Sequence, residues 1–159
     1  RGGRARSDRM TAAERSERMA RIRSKDTQPE LRVRHIVHRL GYRYRLHRKD
    51  LPGVPDLTFS SRKKVIFVHG CFWHAHKGCK VANRPKTRRP FWDAKFERNK
   101  ARDRANMRLL RKQGWGVCTI WECETRRDNL IDQAPFAISR PGKEEIKGRQ
   151  TSCLKERTW

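Results

Sequence analysis

Soft metal ligands crowd one short loop of this chain, and a few acids stand alone in a strongly basic sequence. Cys71, His76 and Cys79 form a C-x4-H-x2-C cluster, and Cys123 ends a later strand-like run from which a fourth ligand could reach back across a sheet. Two or three such ligands within nine residues of a Gly-containing loop suit tetrahedral zinc, which takes thiolates at about 2.3 Å and imidazole at about 2.0–2.1 Å. Four protein ligands would leave no open coordination position, so the site reads as structural. The loop has too few apolar residues to fold by burial, and a metal would supply the ordering free energy. A cysteine taken alone is a small buried hydrophobe, and Cys118, between Val117 and Thr119, keeps that reading.

With 41 Lys and Arg against 17 Asp and Glu, carboxylates on apolar faces are the anomaly. Asp56 follows Pro55 at the start of a short strand. Phe67 and His69 close an apolar strand eleven and thirteen residues later, so pairing of the two strands would bring Asp56 and His69 to one end of the sheet. Asp103 lies seven residues after Phe96 and four before Met107, on the apolar stripe of a long helix, and Glu30 opens the first core helix. These three acids with His69 and His74 could converge on one cleft, which suits Mg²⁺, a hard cation held by one or two carboxylates, waters and phosphate oxygens. Mg²⁺ would clamp a scissile phosphate while a histidine takes a proton from the attacking water, which is phosphodiester hydrolysis. Neither a Gly-rich phosphate loop nor a Ser-centred elbow is present. Each acid also has a plainer reading: Glu30 as a capping acid, Asp103 as an ion-pair partner of Arg102 or Arg104, Asp56 as a turn residue. Convergence separates the two sets of readings.

The elements that must position these groups follow from periodicity. Thr11-x-x-Glu14 reads as a capping box opening a helix over residues 11–23, whose Met19 and Ile22 are too few to bury it firmly. Thr27-x-x-Glu30 is a second capping box, with Pro29 tolerated in the first turn. Val33, Ile36, Val37 and Leu40 then make a helical stripe that ends at Gly41. From Tyr42 the period changes to two, with Tyr42, Tyr44 and Leu46 on one face and Arg43, Arg45 and His47 on the other. A turn at 51–55, a strand at 56–59, a polar turn at 60–64 and an apolar strand at 65–68 complete an expected three-stranded meander. Residues 91–113 read as a long helix with Trp92, Phe96, Met107 and Leu110 on its apolar positions, stopped by Gly114. Residues 115–123 are strand-like and 127–139 a weak helix. The order predicts an α/β domain with a mixed sheet between helices.

At 159 residues, with 35% hydrophobic residues and a mean hydropathy of −1.05, the chain holds one modest domain. Residues 1–10 read as a flexible basic arm, 11–139 as the domain and 140–159 as a disordered polar tail. No apolar run reaches the roughly 18 residues of a membrane span and no signal-peptide core is visible, so the expected location is the cytoplasm, with no membrane partner. The net charge of +24 is unevenly placed: residues 1–50 carry 16 bases and 6 acids, 77–112 carry 14 and 3, 51–76 carry 3 and 1, and 113–159 carry 8 and 7. Two basic blocks around a nearly neutral middle predict a polyanion held between them, bound fast and with a steep salt dependence. Solubility alone needs a net charge of only about 2 to 8. Nucleic acid is therefore the first partner to expect. Phe72, Trp73, Phe91 and Trp92 border or lie within the second basic block, where a base could stack on them.

Several segments resemble one nuclease family. Arg15-Ser-Glu-Arg-Met19, Asp26-Thr27, Leu51-Pro-Gly-Val-Pro-Asp56, Val65-Ile-Phe-Val-His-Gly-Cys-Phe-Trp-His74, Phe91-Trp92, Arg102-Asp-Arg104, Gly114-Trp115 and Trp121-Glu-Cys123 are similar, in order, to the very short patch repair endonucleases, the Vsr family. The resemblance covers about residues 11–130, and its HGCFWH stretch is highly specific. It implies a restriction-endonuclease-like fold with a structural zinc, in which Phe67 and His69 stand where related nucleases carry an acid and a lysine. It implies Mg²⁺-dependent nicking of one strand 5′ of the thymine in a T:G mismatch, the lesion left when 5-methylcytosine deaminates. The implied partners are mismatched double-stranded DNA and, functionally, a cytosine-5 DNA methyltransferase and a repair polymerase at the nucleoid.

Carried over by position, the resemblance makes Asp56 the direct Mg²⁺ ligand with the backbone carbonyl of Val68 beside it, His74 the general base and His69 a supporting catalytic histidine. Glu30 and Asp103 become acids that hold metal-bound water and orient the histidines. Cys71, His76, Cys79 and Cys123 become the zinc ligands. Phe72, Trp73 and Trp92 become an aromatic wedge entering the duplex beside the mismatch, and Met19 lies on a helix gripping from the other groove. Wedging a stack apart costs a few kcal/mol per step and less at a wobble pair, so a rigid aromatic probe can turn a weak mismatch into discrimination. Two other readings stand beside this one: a nuclease of the same fold with another DNA target, and a zinc-stabilised nucleic-acid-binding module without catalysis. Asp56, Asp103, His69 and His74 weigh against the module, because carboxylates facing a phosphate repel it unless a cation intervenes.

Overall fold

A computed structural model describes residues 11, 13, 14, 17, 25–85 and 87–126. Val33, Ile36, Val37 and Leu40 fall on one side of α1 (Gln28–Arg39), with Pro29 in the first turn and Gly41, at φ +82°, just past the end. The stripe packs where its spacing puts it: Val33 and Val37 are fully buried against the sheet, with Ile36 and Leu40 beside them. The expected capping box at its start forms differently. Thr27 donates its hydroxyl to Glu30 instead of accepting the Glu30 amide, and the Glu30 carboxylate reaches back to the Asp26 amide.

The meander is present. Strands β1 (Arg45–Leu46), β2 (Leu57–Phe59) and β3 (Lys64–His69) pair antiparallel in order, and β4 (Gly116–Trp121) lies parallel to the other side of β3. Strand β1 is only two residues long. His47, at φ +46°, ends the alternation, and Tyr42 and Tyr44 precede the ladder, packing edge-on against Phe59 at 6.5 and 6.1 Å. The crossover between the parallel strands carries α2 (Arg89–Lys112), which starts two residues earlier than its apolar pattern because Pro90 is accommodated in the first turn. Strand β4 stops at Trp121, so Cys123 lies in the turn beyond it and not at a strand end.

Alternation along β3 divides the core. Ile66 and Val68 face α1 with Leu57, Phe59, Cys118 and Ile120; Val65 and Phe67 face the other layer with Leu51, Leu110 and Trp115. The sheet therefore lies between the two helices, as an α/β architecture requires. Near the start of the chain, Thr11 and Glu14 exchange the two hydrogen bonds of the first capping box, at 2.7 and 3.2 Å. Met19, the arm at 1–10, the weak helix at 127–139 and the tail at 140–159 lie outside the described residues. No helix among the described residues is long and apolar enough to cross a membrane.

Candidate active site and metal cluster

A cleft of about 460 Å³ opens where β2 begins and β3 ends, and Glu30, Asp56, Val68, His69, His74 and Asp103 all line it. Asp56, immediately before β2, accepts the Val68 amide on Oδ2 at 2.7 Å. Burial pushes the Asp56 carboxyl up from 3.8 to about 6; the Val68 amide opposes that shift, the Glu30 charge reinforces it, and His47 and Arg34 relieve it. The turn that delivers Asp56 is held by close approach. Gly53, at φ +74°, leaves so little room that a Cβ would meet Asn106 Nδ2 of α2 at 2.9 Å.

The opposite wall is a stack of imidazoles. His69, the last residue of β3, is 6% exposed and lies flat on His74, with ring centroids 3.9 Å apart and planes 5° apart. Burial, then the neighbouring His74, lowers the pKa of His69 from 6.5 to about 3, so this ring is neutral at physiological pH. Its Nδ1 is buried without a hydrogen-bond partner. His74 Nδ1 lies 2.5 Å from Asp103 Oδ2. Burial works against the Asp103 charge, but the hydrogen bond and charge of His74 outweigh it and hold the carboxyl below its ordinary value. An ionised carboxylate only accepts, so Nδ1 of His74 carries a proton and donates it to Asp103.

The soft ligands meet as the spacing predicts. Sγ of Cys71 and Sγ of Cys123 each lie 3.5 Å from His76 Nδ1, and with Cys79 the four ligand atoms are within 4.8 Å of one another. A tetrahedral ion with sulfur at 2.3 Å and nitrogen near 2.05 Å would set that S···N edge at about 3.5 Å. The donor set and spacing thus fit a closed tetrahedral metal ion. Burial pushes the Cys71 and Cys123 thiols up; at Cys79 burial pushes the same way, but the amides of Val81 and Ala82 and the side chains of Cys123 and Cys71 together pull its thiol down. His76 stacks flat on Trp121 at 4.0 Å, and the same Trp121 meets His69 edge-on at 5.4 Å. One indole therefore stands between the cluster and the cleft.

Beyond the loop, Phe72 is wedged edge-on among Trp73, Trp92 and Phe96 at 5.1, 5.4 and 5.6 Å. Phe96 is 3% exposed and roots the group in the protein, while Phe72, Trp73 and Trp92 are only half-buried. Lys95 Nζ sits 5.2 Å over Trp73 and 5.4 Å over Trp92, placing a cation on the aromatic surface.

Comparison with known proteins agrees with this picture. The family model described as DNA mismatch endonuclease Vsr matches residues 7–80. The chain is 50% identical over 117 residues to the type II nicking enzyme V.XorIIP of Xanthomonas oryzae pv. oryzae, covering 74% of this chain and 85% of that protein. It is 41% identical over 139 residues to the type II nicking enzyme V.NmeAIP of Neisseria meningitidis, covering 87% and 99%. With the DNA mismatch endonuclease Vsr of Escherichia coli it shares 40% identity over 123 residues, 77% and 78% of the two chains. The chain belongs to the Vsr family.

In this Vsr chain the expected residues fall into three groups. Asp56, Val68, His69, His74, Glu30 and Asp103 share the cleft; Cys71, His76, Cys79 and Cys123 share the soft cluster; Phe72, Trp73 and Trp92 share the aromatic group. Within the cleft, His69, His74 and Asp103 form one knot and Glu30 another with Asp26 and His47, and Asp56 belongs to neither. Lys25, Arg102 and Asn106 also line the cleft, and sequence reasoning did not single them out. Neither did it single out Arg34, which touches Glu30. In a chain with 41 basic residues no single Arg stands out by type. The usable signal was Arg34 four residues after Glu30, beside the apolar stripe.

Proposed function

We propose that this Vsr-family chain is a DNA mismatch endonuclease that nicks one strand 5′ of the thymine in T:G mismatches left by 5-methylcytosine deamination, by Mg²⁺-dependent hydrolysis. The observation that carries the reading is the cleft itself. A half-buried carboxylate with a raised pKa shares the cleft with two stacked histidines, the inner one neutral and the outer one oriented by an ionised acid. A carboxyl that burial has made reluctant to ionise gains most when a cation pairs with it, so the Asp56 position fits a divalent ion.

In this reading Asp56 and the Val68 carbonyl would hold Mg²⁺, and Glu30 and Asp103 would order water in the cleft. Bound Mg²⁺ would supply charge stabilisation at the scissile phosphate. His74, with Nδ1 fixed on Asp103, takes the proton of the attacking water on its other nitrogen, and His69 supports its ring by stacking. No covalent nucleophile is needed. Cys71, His76, Cys79 and Cys123 would hold zinc, which would supply ordering energy to the loop that carries Phe72, Trp73 and His74. Phe72, Trp73 and Trp92 form the wedge, with Met19 gripping from the other groove, and Lys95 favours a phosphate backbone nearby. We further propose a restriction-endonuclease-like domain over 11–139, acting at the nucleoid after a cytosine-5 methyltransferase and before a repair polymerase.

The test compares end-labelled duplexes containing T:G, the parent C:G pair and other mismatches, with Mg²⁺ or EDTA. The expected result is one nick 5′ of the thymine, absent in EDTA. Equal cutting of the C:G duplex would move the reading to a nuclease with another target, and tight binding without cutting in any metal would move it to a binding module.

A further inference from the structure

A basic side chain on the core stripe of a helix is unusual, and Arg34 is one: it shares the buried face of α1 with Glu30, Val33 and Val37. Its side chain is 10% exposed. Nη1 donates to Asp26 Oδ1 at 2.6 Å, and Nη2 lies 3.2 Å from Glu30 Oε2 and 3.0 Å from His47 Nε2. Tyr44 donates its hydroxyl to the Arg34 carbonyl at 3.2 Å, tying the same turn of helix to the start of the meander.

The surroundings show what the guanidinium does. The potential ligand atoms of Asp26, Glu30 and His47 lie within 4.8 Å of one another, a grouping that would draw a metal ion, and Nη1 and Nη2 stand among them. A guanidinium is always charged and carries five donors in a rigid plane, so it bridges several acceptors without being lost to chelation or titration. It has no acceptor. His47 Nε2 must therefore accept, and the ring proton of His47 is on Nδ1. Glu30 receives two further donors, the Thr27 hydroxyl at 2.8 Å and the Asp26 amide at 2.9 Å. Its carboxylate is thus fixed in place on the wall of the cleft that also holds Asp56. Two acids can share that cleft because a permanent cation stands behind one of them. Burial separates this role from phosphate gripping, to which Arg102, exposed on the other rim, is suited.

We propose that Arg34 is a positioning residue of the cleft: its buried guanidinium ties Asp26, Glu30 and His47 into one block, stands where a second cation would otherwise be drawn, and presents the Glu30 carboxylate in a single orientation. The catalytic part of this claim rests on the nuclease reading above; the structural part does not. Nitrogen-detected NMR of the histidine rings in the full chain tests the structural part without DNA or activity. The expected spectrum places the His47 proton on Nδ1, with Nε2 an acceptor, and this pattern is lost in Arg34→Met. A His47 proton on Nε2 in the unmodified chain would overturn the clamp.

Nicking of a T:G duplex tests the rest. Arg34→Met should lower kcat by about ten- to a hundredfold, with KM for the duplex within about twofold, as expected for loss of a group that orients a ligand. Ethylguanidinium, but not ethylammonium, should restore part of the rate to Arg34→Ala. Arg34→Lys keeps the charge and guards against a simple folding failure; one ammonium cannot span three acceptors, so its kcat should also fall by about tenfold while its melting temperature stays near that of the parent. A raised KM with unchanged kcat, or full activity in Arg34→Lys, would overturn the positioning role. An unmodified chain that binds the duplex and never nicks it overturns the nuclease reading instead, and leaves the clamp to stand or fall on the histidine spectrum.

Discussion

The two ligand-rich regions of this protein are built on opposite plans. In the soft cluster the four ligand atoms crowd together within 4.8 Å, with the Cys71 and Cys123 sulfurs each 3.5 Å from His76 Nδ1, and buried Cys71 and the Trp121 face lie against it. In the cleft each acid is answered by a protein group: Val68 for Asp56, Arg34 and Thr27 for Glu30, His74 for Asp103. What remains between them is open volume. A site that satisfies an ion completely can only hold structure, whereas one whose ligands are separately anchored around a space keeps coordination positions for substrate and water. Trp121 touches both, stacking on His76 of the cluster and meeting His69 of the cleft edge-on.

Breaking the closed centre should have the largest effect. Cys71→Ser should reduce bound zinc from about one ion per chain to none and lower the melting temperature by more than about 10 °C, measured by atomic absorption and thermal unfolding. Retention of zinc and of the melting temperature would mean that the cluster is not a metal site. Asp56→Asn attacks the open centre and should separate function from stability. Nicking should fall on the order of a thousandfold, with duplex binding retained. The metal-free protein, in contrast, should gain about 3 kcal/mol at pH 7.5. The sign follows from the raised carboxyl: its stabilising contribution is complete below pH 3.8 and is lost as the pH rises through about 6. Urea unfolding at pH 3.5 and pH 7.5 should show the gain only at the higher value.

Smaller effects resolve the imidazole wall. His74→Ala should slow nicking by about a hundredfold or more, as for loss of a general base. Asp103→Asn should cost about ten- to a hundredfold, with a changed pH–rate profile, because the amide no longer fixes the ring tautomer. Equal losses in both variants would make the pair a single structural unit. Least affected should be the chemistry in Trp73→Ala. There the preference for T:G over C:G duplexes should drop by about tenfold, the worth of one stacking contact, with single-turnover cleavage of the bound mismatch nearly intact.

Periodicity carried much of the fold. The α1 stripe, the long helix before Gly114 and the meander could all be read because burial imposes a fixed repeat on each type of element; the two faces of β3, a continuous apolar run, could not. Boundaries were less legible: β1 shrank to two residues and β4 stopped before Cys123, since backbone turns such as the one at His47 leave no apolar signature. The Cys71, His76 and Cys79 spacing pointed to its cluster because ligands on one loop are close in the chain as well as in space. The cleft was harder. Asp56 and His69 were expected together from strand pairing, but the flat stacking of His69 on His74, the Asp103 contact and the Arg34 clamp depend on side-chain directions across three elements.

Local spacing by itself determined which residues could ligate, which faces would be buried and that the partner would be a polyanion, because these are properties of short stretches and of total charge. Tertiary structure alone decided which acids meet, which are neutralised and by what. Those outcomes turn on distances of 2.5 to 3.2 Å between groups up to 29 residues apart, and a linear pattern carries no information about distance at that scale.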